Sequence, residues 1–219
     1  MNTVPPLLEQ AVRYALVVTR EIPPALLSRP TPCEAWDLAM LLAHANESLA
    51  ALTEGAVGGC VAPAPPHEPE AHEPQSHEAQ SHEPEPADRP GPHRVRVGRQ
   101  SPPRRATDDP VTTFRHRARQ LPSLWATAPR LIAVADRAMP ADLTAAAGAL
   151  EIAVHAWDIA RSCRRNLPIP AAVAVELLSV GVVLVPESDR HPFFAPRAEV
   201  GAMACPSDRL VAFLGRDPR

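Results

Sequence analysis

The feature that most limits what this chain can fold into is an internal segment, residues 61–109. It is dense in proline, histidine, glutamate and arginine and almost free of leucine, isoleucine and phenylalanine. A degenerate five-residue repeat places its histidines at His67, His72, His77 and His82. A period of five fits neither a helix nor a strand, and such a composition buries too little apolar surface to offset the entropy of ordering. We therefore predict a disordered insertion in one folded domain made of residues 1–60 and 110–219.

The two parts that flank this insertion carry helical signals. Apolar residues recur at helical spacing, and prolines, glycines and single aspartates mark where helices begin and end. Helices are expected over about residues 7–27, from 38 to the glycines at 55–59, from 110 with a kink or break at Pro122, over 141–163, 171–184 and 207–214. No segment before residue 180 has the alternation of a strand. The sequence thus predicts an all-α protein, a bundle of four principal helices with additional C-terminal helices.

Composition excludes several classes of partner. The 219-residue chain has a formal net charge of −3, without the concentrated basic face that binding to nucleic acid or to a membrane surface requires. The longest apolar run, Val180–Val185, is far shorter than the ~20 residues of a membrane span. No signal peptide is visible, and four widely spaced cysteines (Cys33, Cys60, Cys163 and Cys205) form no CxxC motif. We expect a cytoplasmic protein with unpaired thiols; its oligomeric state is left open.

One predicted helix carries a group of chemically active residues. Glu151, His155 and Asp158 fall within about 60° of one another on one helical face. That face also carries the small residues Ala147 and Gly148, so the charged groups could point into the bundle. Burying a charge without a partner costs several kcal/mol, and a metal ion is a natural partner for a carboxylate and an imidazole.

A third ligand is available on the second predicted helix. His44 is flanked there by Leu41, Leu42 and Ala45, on the side expected to be buried. Two imidazoles and one carboxylate leave a fourth position open, which is the ligand count of a catalytic rather than a structural zinc. Asp158 could fix the tautomer of His155 as a hydrogen-bond acceptor, or could itself bind the metal.

Simpler interpretations of the same residues stay open at this point. A Glu/His pair spaced by four is often a solvated pair, and a single histidine on an apolar face is often a hydrogen-bonded core residue. The histidines of the repeat could bind metal loosely, but solvated low-complexity sequence explains them better. Cys33 is expected to be a small buried residue, since no basic neighbour is evident that would lower the pKa of its thiol. Trp36 and Trp157 are expected to be packing residues.

Several motifs of this chain stand in an order known from one family. They are TPC at residues 31–33 with WD at 36–37, LAH at 42–44, EIAVHAWDIA at 151–160 and LGRDP at 214–218. The chain resembles the metal-binding domain of mycothiol-dependent maleylpyruvate isomerase and the small proteins related to it, within the DinB-like four-helix bundles. The resemblance covers nearly all of the chain except the insertion at 61–109, which is far longer than the usual loop of the family.

The resemblance implies a cofactor and a cosubstrate. It implies that His44, Glu151 and His155 hold a divalent ion, most often zinc, and that a low-molecular-weight thiol such as mycothiol is the cosubstrate. Zinc stabilises a thiolate over a thiol, and so makes a nucleophile available at neutral pH. The thiolate could add to an activated alkene and be eliminated again, which is isomerisation, or displace a leaving group, which is S-transfer.

Three functional hypotheses follow from these observations. The first is a zinc-dependent thiol transferase or isomerase that acts on a small electrophile. The second is a non-catalytic metal-binding or metal-buffering bundle with the histidine repeat as an accessory chelator. The third is a bundle that acts as an interaction module through its insertion. We take the first as our working hypothesis.

Overall fold

The computed structural model describes residues 5–33, 35–61, 109–190 and 194–219. Within these ranges the chain forms six helices and one small sheet. The helices are α1 (Pro6–Val18), α2 (Leu38–Gly58), α3 (Pro110–Trp125), α4 (Ala141–Ser162), α5 (Ala171–Leu184) and α6 (Pro206–Phe213), and the strands are β1 (Cys60–Val61), β2 (Leu131–Val134) and β3 (Arg137–Pro140). The predicted helical fold class is confirmed. The predicted insertion with its histidine repeat lies outside the described residues except for its end residues, so its disorder and the domain boundaries stay predictions.

Several helix ends follow directly from single residues. The side chain of Asp37 accepts a hydrogen bond from the backbone N–H of Met40 at 2.8 Å and so caps the start of α2. Gly59 ends the same helix in the left-handed conformation, with φ +70°. Asp109 caps α3 by accepting from the backbone N–H groups of Val111 and Thr112. These residues fix the ends of α2 and the start of α3 at the predicted positions.

Two helix predictions need correction, and both concern prolines. The first helix ends at Val18 rather than near residue 27, because Pro23 and Pro24 lack a backbone N–H and disfavour the helical conformation of the preceding residue. A separate 3₁₀ turn follows at Pro24–Leu26. In α3 we predicted a kink or a break at Pro122; the helix does not break there and continues to Trp125.

The prediction that no strand occurs before residue 180 is wrong. Strands β2 and β3 form an antiparallel hairpin in which Ile132 pairs with Met139, and β1 adds to β2 in parallel, with Cys60 opposite Ala133. The hairpin strands have four residues each, and the turn between them places Ala135 at φ +52° without the help of a glycine. Strands this short show almost no alternation, so the sequence pattern could not reveal them.

The close packing of α2 on α4 positions the functional residues. A Cβ atom built on Gly148 would lie 2.5 Å from Cδ2 of Leu52, so the two helices pack closely at this glycine. Leu52 faces Gly148, and His44 faces Glu151, so the two helices run antiparallel. Beyond this contact, the polar side chains of both helices therefore meet, His44 from α2 and Glu151 from α4.

None of the helices in the described part of the chain combines the length and the apolar character that crossing a bilayer requires.

Candidate metal centre

The imidazoles of two helices converge on one carboxylate oxygen. Nε2 of His44, on α2, lies 2.9 Å from Oε1 of Glu151, and Nε2 of His155, on α4, lies 3.1 Å from the same oxygen. The two rings stand edge to face, with their centroids 5.0 Å apart. The structure thus brings together the three residues that the sequence analysis selected.

These three residues are exposed to solvent on one side and contact neighbouring side chains on the others. The side chains of His44 and Glu151 are 35% and 38% exposed, whereas that of His155 is 9% exposed. The hydroxyl of Ser48 donates to Oε1 of Glu151 at 2.9 Å, and the half-buried ring of Trp36 lies 5.0 Å from that of His44. A ligand can therefore reach Glu151 and His44 from solvent, while neighbouring side chains hold both in place.

A second network lies behind His155. Nδ1 of His155 donates to Oδ2 of Asp158 at 3.1 Å, which leaves Nε2 of the ring facing Glu151. Asp158 is completely buried, and Nη2 of Arg216 donates to the same Oδ2 at 3.0 Å. The thiol of Cys33 also donates to Oδ2, at 3.4 Å. This buried carboxylate therefore accepts hydrogen bonds from three side chains that lie far apart in the sequence.

Two overlapping groups of three residues have ligand atoms close enough to share a metal ion. One consists of His44, Glu151 and His155, and the other of Cys33, His155 and Asp158; within each group the ligand atoms lie within 4.8 Å of one another. The two groups use opposite nitrogens of His155. The described residues thus contain a candidate metal-binding region centred on that imidazole.

The charges in this region shift the pKa values in opposite directions. Burial is the largest single effect and alone would raise the pKa of Glu151, but the charges and hydrogen bonds of His155 and His44 together outweigh it and hold the pKa well below its usual range. Burial would lower the pKa of His155, yet the charge of Glu151 and the hydrogen bond to Asp158 raise it well above that of a free imidazole. The pKa of Asp158 is likewise lowered by His155 and Arg216 against the effect of burial. Without a metal, the proton on His155 holds the group together.

The expectation for Cys33 was incomplete. The residue is half-buried, but its Sγ lies 3.8 Å from Nη2 of Arg216, so it does have a basic neighbour. Arg216 lies 58 residues beyond Asp158 in the sequence, and the motif LGRDP gave it no role, so sequence spacing could not pair the two. Trp157 is buried, as expected of a packing residue.

Ser48 was also missed by the sequence analysis. It follows His44 by four residues on α2, and this spacing places both side chains on the same helical face. The spacing was therefore a usable signal, although serine at such a position is common.

The greater part of the chain matches one known protein family. The family model described as the mycothiol maleylpyruvate isomerase N-terminal domain matches residues 8–160. This range contains Cys33, His44, Glu151, His155 and Asp158, whereas Arg216 lies beyond it. No curated protein and no solved structure matches the chain.

Proposed function

This chain belongs to the mycothiol maleylpyruvate isomerase N-terminal domain family, and we propose that it is a zinc-dependent enzyme that uses a low-molecular-weight thiol, such as mycothiol, to modify a small electrophile. The reaction is either S-transfer or isomerisation. The observation that supports the proposal is the convergence of His44 and His155 on one oxygen of Glu151, with the open side towards solvent.

The residues present fit a zinc ion. Two imidazole nitrogens and one carboxylate oxygen are a donor set that zinc accepts, and three protein ligands leave a fourth position for a substrate. The ligand atoms are already within 4.8 Å of one another, so binding requires little rearrangement. In the absence of metal, each Nε2 must carry a hydrogen to donate to Oε1 of Glu151. A cation bound between these three atoms would replace those hydrogens.

The alternative group, Cys33 with His155 and Asp158, fits a cation less well. The guanidinium of Arg216 already lies 3.0 Å from Oδ2 of Asp158 and 3.8 Å from Sγ of Cys33, where it supplies the positive charge. A metal ion there would face strong repulsion from Arg216. Asp158 is also fully buried, so this group offers no open position for a substrate. We therefore assign the ion to His44, Glu151 and His155.

Each side chain of the site has a definite part in the proposed chemistry. A divalent ion held by the three ligands would favour the thiolate form of a bound thiol at neutral pH. Asp158 keeps the proton of the His155 ring on Nδ1, so that the lone pair of Nε2 points to the ligand position. Ser48 orients Oε1 of Glu151 by a hydrogen bond, and Trp36 restricts the ring of His44.

The state of the cysteines supports a cytoplasmic location for this chemistry. All four, Cys33, Cys60, Cys163 and Cys205, are free in the structure. Unpaired cysteines are typical of reducing compartments, where low-molecular-weight thiols are also kept in their reduced form.

The assignment of the ligands is tested by the zinc content of the purified full-length chain, measured by mass spectrometry of the metal. We expect about one ion per chain, its loss in His44→Ala and in His155→Ala, and helicity by circular dichroism close to that of the parent. His116→Ala is the matched control, since His116 is exposed on α3 and should leave the zinc content unchanged. Full zinc occupancy in either ligand variant would overturn the assignment.

The catalytic part is tested separately. The zinc-loaded protein is incubated with a panel of thiols and small electrophiles, and adducts or rearranged products are identified by mass spectrometry. Products that form only with a thiol, and not in His155→Ala, support the proposal. If several weakly bound ions disappear when the four repeat histidines are replaced by serine, while no thiol gives a product, metal buffering is the better description.

A further inference from the structure

A cationic cleft lies at the end of α4, outside the candidate metal centre. It has a volume of about 290 Å³ and is formed by the segment from Arg29 to Pro32 and by the last turn of α4. Three of its lining residues are arginines: Arg29, Arg161 and Arg164. Among the residues that the structure describes, neither a candidate metal ligand nor an acidic side chain lines it. The cleft therefore concentrates positive charge at a concave surface.

Two of the three positive charges of the cleft have no ion-pair partner within the described part of the chain. The side chains of Arg29 and Arg164 form no ion pair or hydrogen bond there. Arg161 is already engaged: it donates to the backbone oxygen of Arg219, lies over the ring of Trp157 and helps to lower the pKa of Asp217. The C-terminal end of a helix attracts cations, which accounts in part for Arg161 and Arg164. It does not account for Arg29, which comes from a different segment. Clustered like charges repel one another unless an anion binds between them.

The walls of the cleft are held rigidly. Pro30 and Pro32 fix two backbone angles, and the backbone N–H and hydroxyl of Thr31 both bond to the carbonyl of Trp36. The backbone of Arg29 is bonded in both directions, to Leu26 and Leu38. A ligand that binds to a rigid cleft loses little free energy to ordering of the protein.

Arg164 occupies a position where glycine is the usual residue. It has φ +56° directly after the C-terminal cap of α4, and the backbone bonds from Arg164 to Arg161 and from Arg165 to Ala160 close the helix there. An arginine in this left-handed conformation is less favourable than a glycine. The presence of a long cationic side chain at this position is explained if the side chain has a binding role.

Ser162 provides a further polar group in the same wall. It is buried, it lines the cleft, and its Oγ has no hydrogen-bond partner among the described residues. Buried hydroxyl groups are nearly always hydrogen-bonded, so the wall of the cleft holds an unused hydrogen-bonding group close to the arginines.

We propose that this cleft is a binding site for a small molecule that carries an oxyanion, either a carboxylate or a phosphate group, held by Arg29, Arg161 and Arg164. The planar guanidinium group presents paired donors that match both kinds of anion. The proposal is independent of the proposed zinc chemistry, because no metal ligand belongs to the cleft.

The test is calorimetric titration of the zinc-loaded full-length chain with inorganic phosphate and, in a separate experiment, with succinate. We expect saturable binding of at least one of them at about one site per chain. The double variant Arg29→Gln with Arg164→Gln should weaken this binding at least about tenfold, because two charge-assisted contacts are lost. The matched control is Arg119→Gln with Arg137→Gln, which removes the same net charge from two exposed arginines outside the cleft and should leave the affinity within about twofold.

The two titrations distinguish the possible ligands. Binding of phosphate alone indicates a phosphorylated ligand, and binding of succinate alone indicates a carboxylate. The proposal is overturned if neither anion gives saturable binding, or if both double variants weaken it equally, since that is a general effect of charge. It is also overturned if the cleft variant binds as tightly as the parent, since the anion then binds elsewhere, for example at the zinc.

Discussion

Arg216 contacts both oxygens of the buried carboxylate of Asp158, with Nη2 3.0 Å from Oδ2 and Nε 3.4 Å from Oδ1. The side chain of Asp158 is not exposed at all, and that of Arg216 is 13% exposed. The pair thus joins the segment after α6 to the C-terminal part of α4, next to His155. Burial of the Asp158 charge depends on this partner, because an unpaired buried carboxylate costs several kcal/mol.

Replacement of Arg216 by glutamine should therefore destabilise the protein. We expect the free energy of unfolding in urea to fall by about 3 kcal/mol, because one partner of a buried ion pair is removed while the other remains. The zinc affinity should fall by about tenfold to a hundredfold as well, since Asp158 then orients His155 less firmly.

The exposed pair of Arg219 with Asp217 is the control for this prediction. The side chains of these two residues are 85% and 55% exposed, so water screens the pair and Arg219→Gln should leave the free energy of unfolding close to that of the parent. Equal losses of stability in Arg216→Gln and Arg219→Gln would show that burial does not make the Asp158–Arg216 ion pair more stabilising than an exposed pair.

Residues that act locally allowed the sequence to predict most of the fold. Asp37, Gly59 and Asp109 fix helix ends through contacts with their own neighbours, and these ends agree with the prediction. The strands β2 and β3 were missed because four residues each carry too little pattern, and their pairing depends on a turn without glycine. Local signals therefore predicted the helices better than the sheet.

In the candidate site, too, the contacts within one helix could be predicted from the sequence, and the contacts between distant segments could not. Glu151, His155 and Asp158 share a helical face, so their proximity follows from helix geometry alone. The approach of His44 required a correct guess about which face of α2 is buried. The contacts of Arg216 and Cys33 with Asp158 span 58 and 125 residues and depend on the complete fold. No spacing rule could have predicted them.

Zinc affinity should depend on pH near neutrality. In the metal-free protein, the charge of Glu151 and the hydrogen bond to Asp158 outweigh burial and hold the pKa of His155 well above its usual value. Zinc must displace this proton, so its apparent affinity should fall about tenfold per pH unit as the pH drops below that raised pKa, and should level off above it. Competition with a chromophoric chelator between about pH 6 and 8 measures this slope.

The stability of the metal-free protein should fall as the pH rises, whereas its zinc affinity should increase. A raised pKa in the folded state stabilises the fold fully below the unfolded pKa of about 6.5, and this contribution is lost as the pH rises through the folded-state value. Glu47→Gln, which removes an exposed carboxylate from the same helix as His44, should leave both profiles unchanged. A zinc affinity that does not vary over this range would contradict the assignment of His155 as a ligand.

Replacement of Gly148 by alanine should disturb the contact between α2 and α4. The new Cβ would lie 2.5 Å from Cδ2 and 2.7 Å from Cδ1 of Leu52, so the helices must separate or Leu52 must change its rotamer. We expect a loss of about 1–3 kcal/mol in the free energy of unfolding, typical of overpacking, and weaker zinc binding because His44 moves away from Glu151.

Gly58→Ala is the control for this prediction. The nearest atom to its new Cβ is Sγ of Cys60 at 3.8 Å, so the substitution should be neutral or slightly stabilising. Adding Leu52→Ala to Gly148→Ala should restore zinc affinity if the clash is the cause, even though the lost leucine lowers stability further. Zinc affinity that stays low in the double variant would show that the distance between α2 and α4 is not what holds His44 in place.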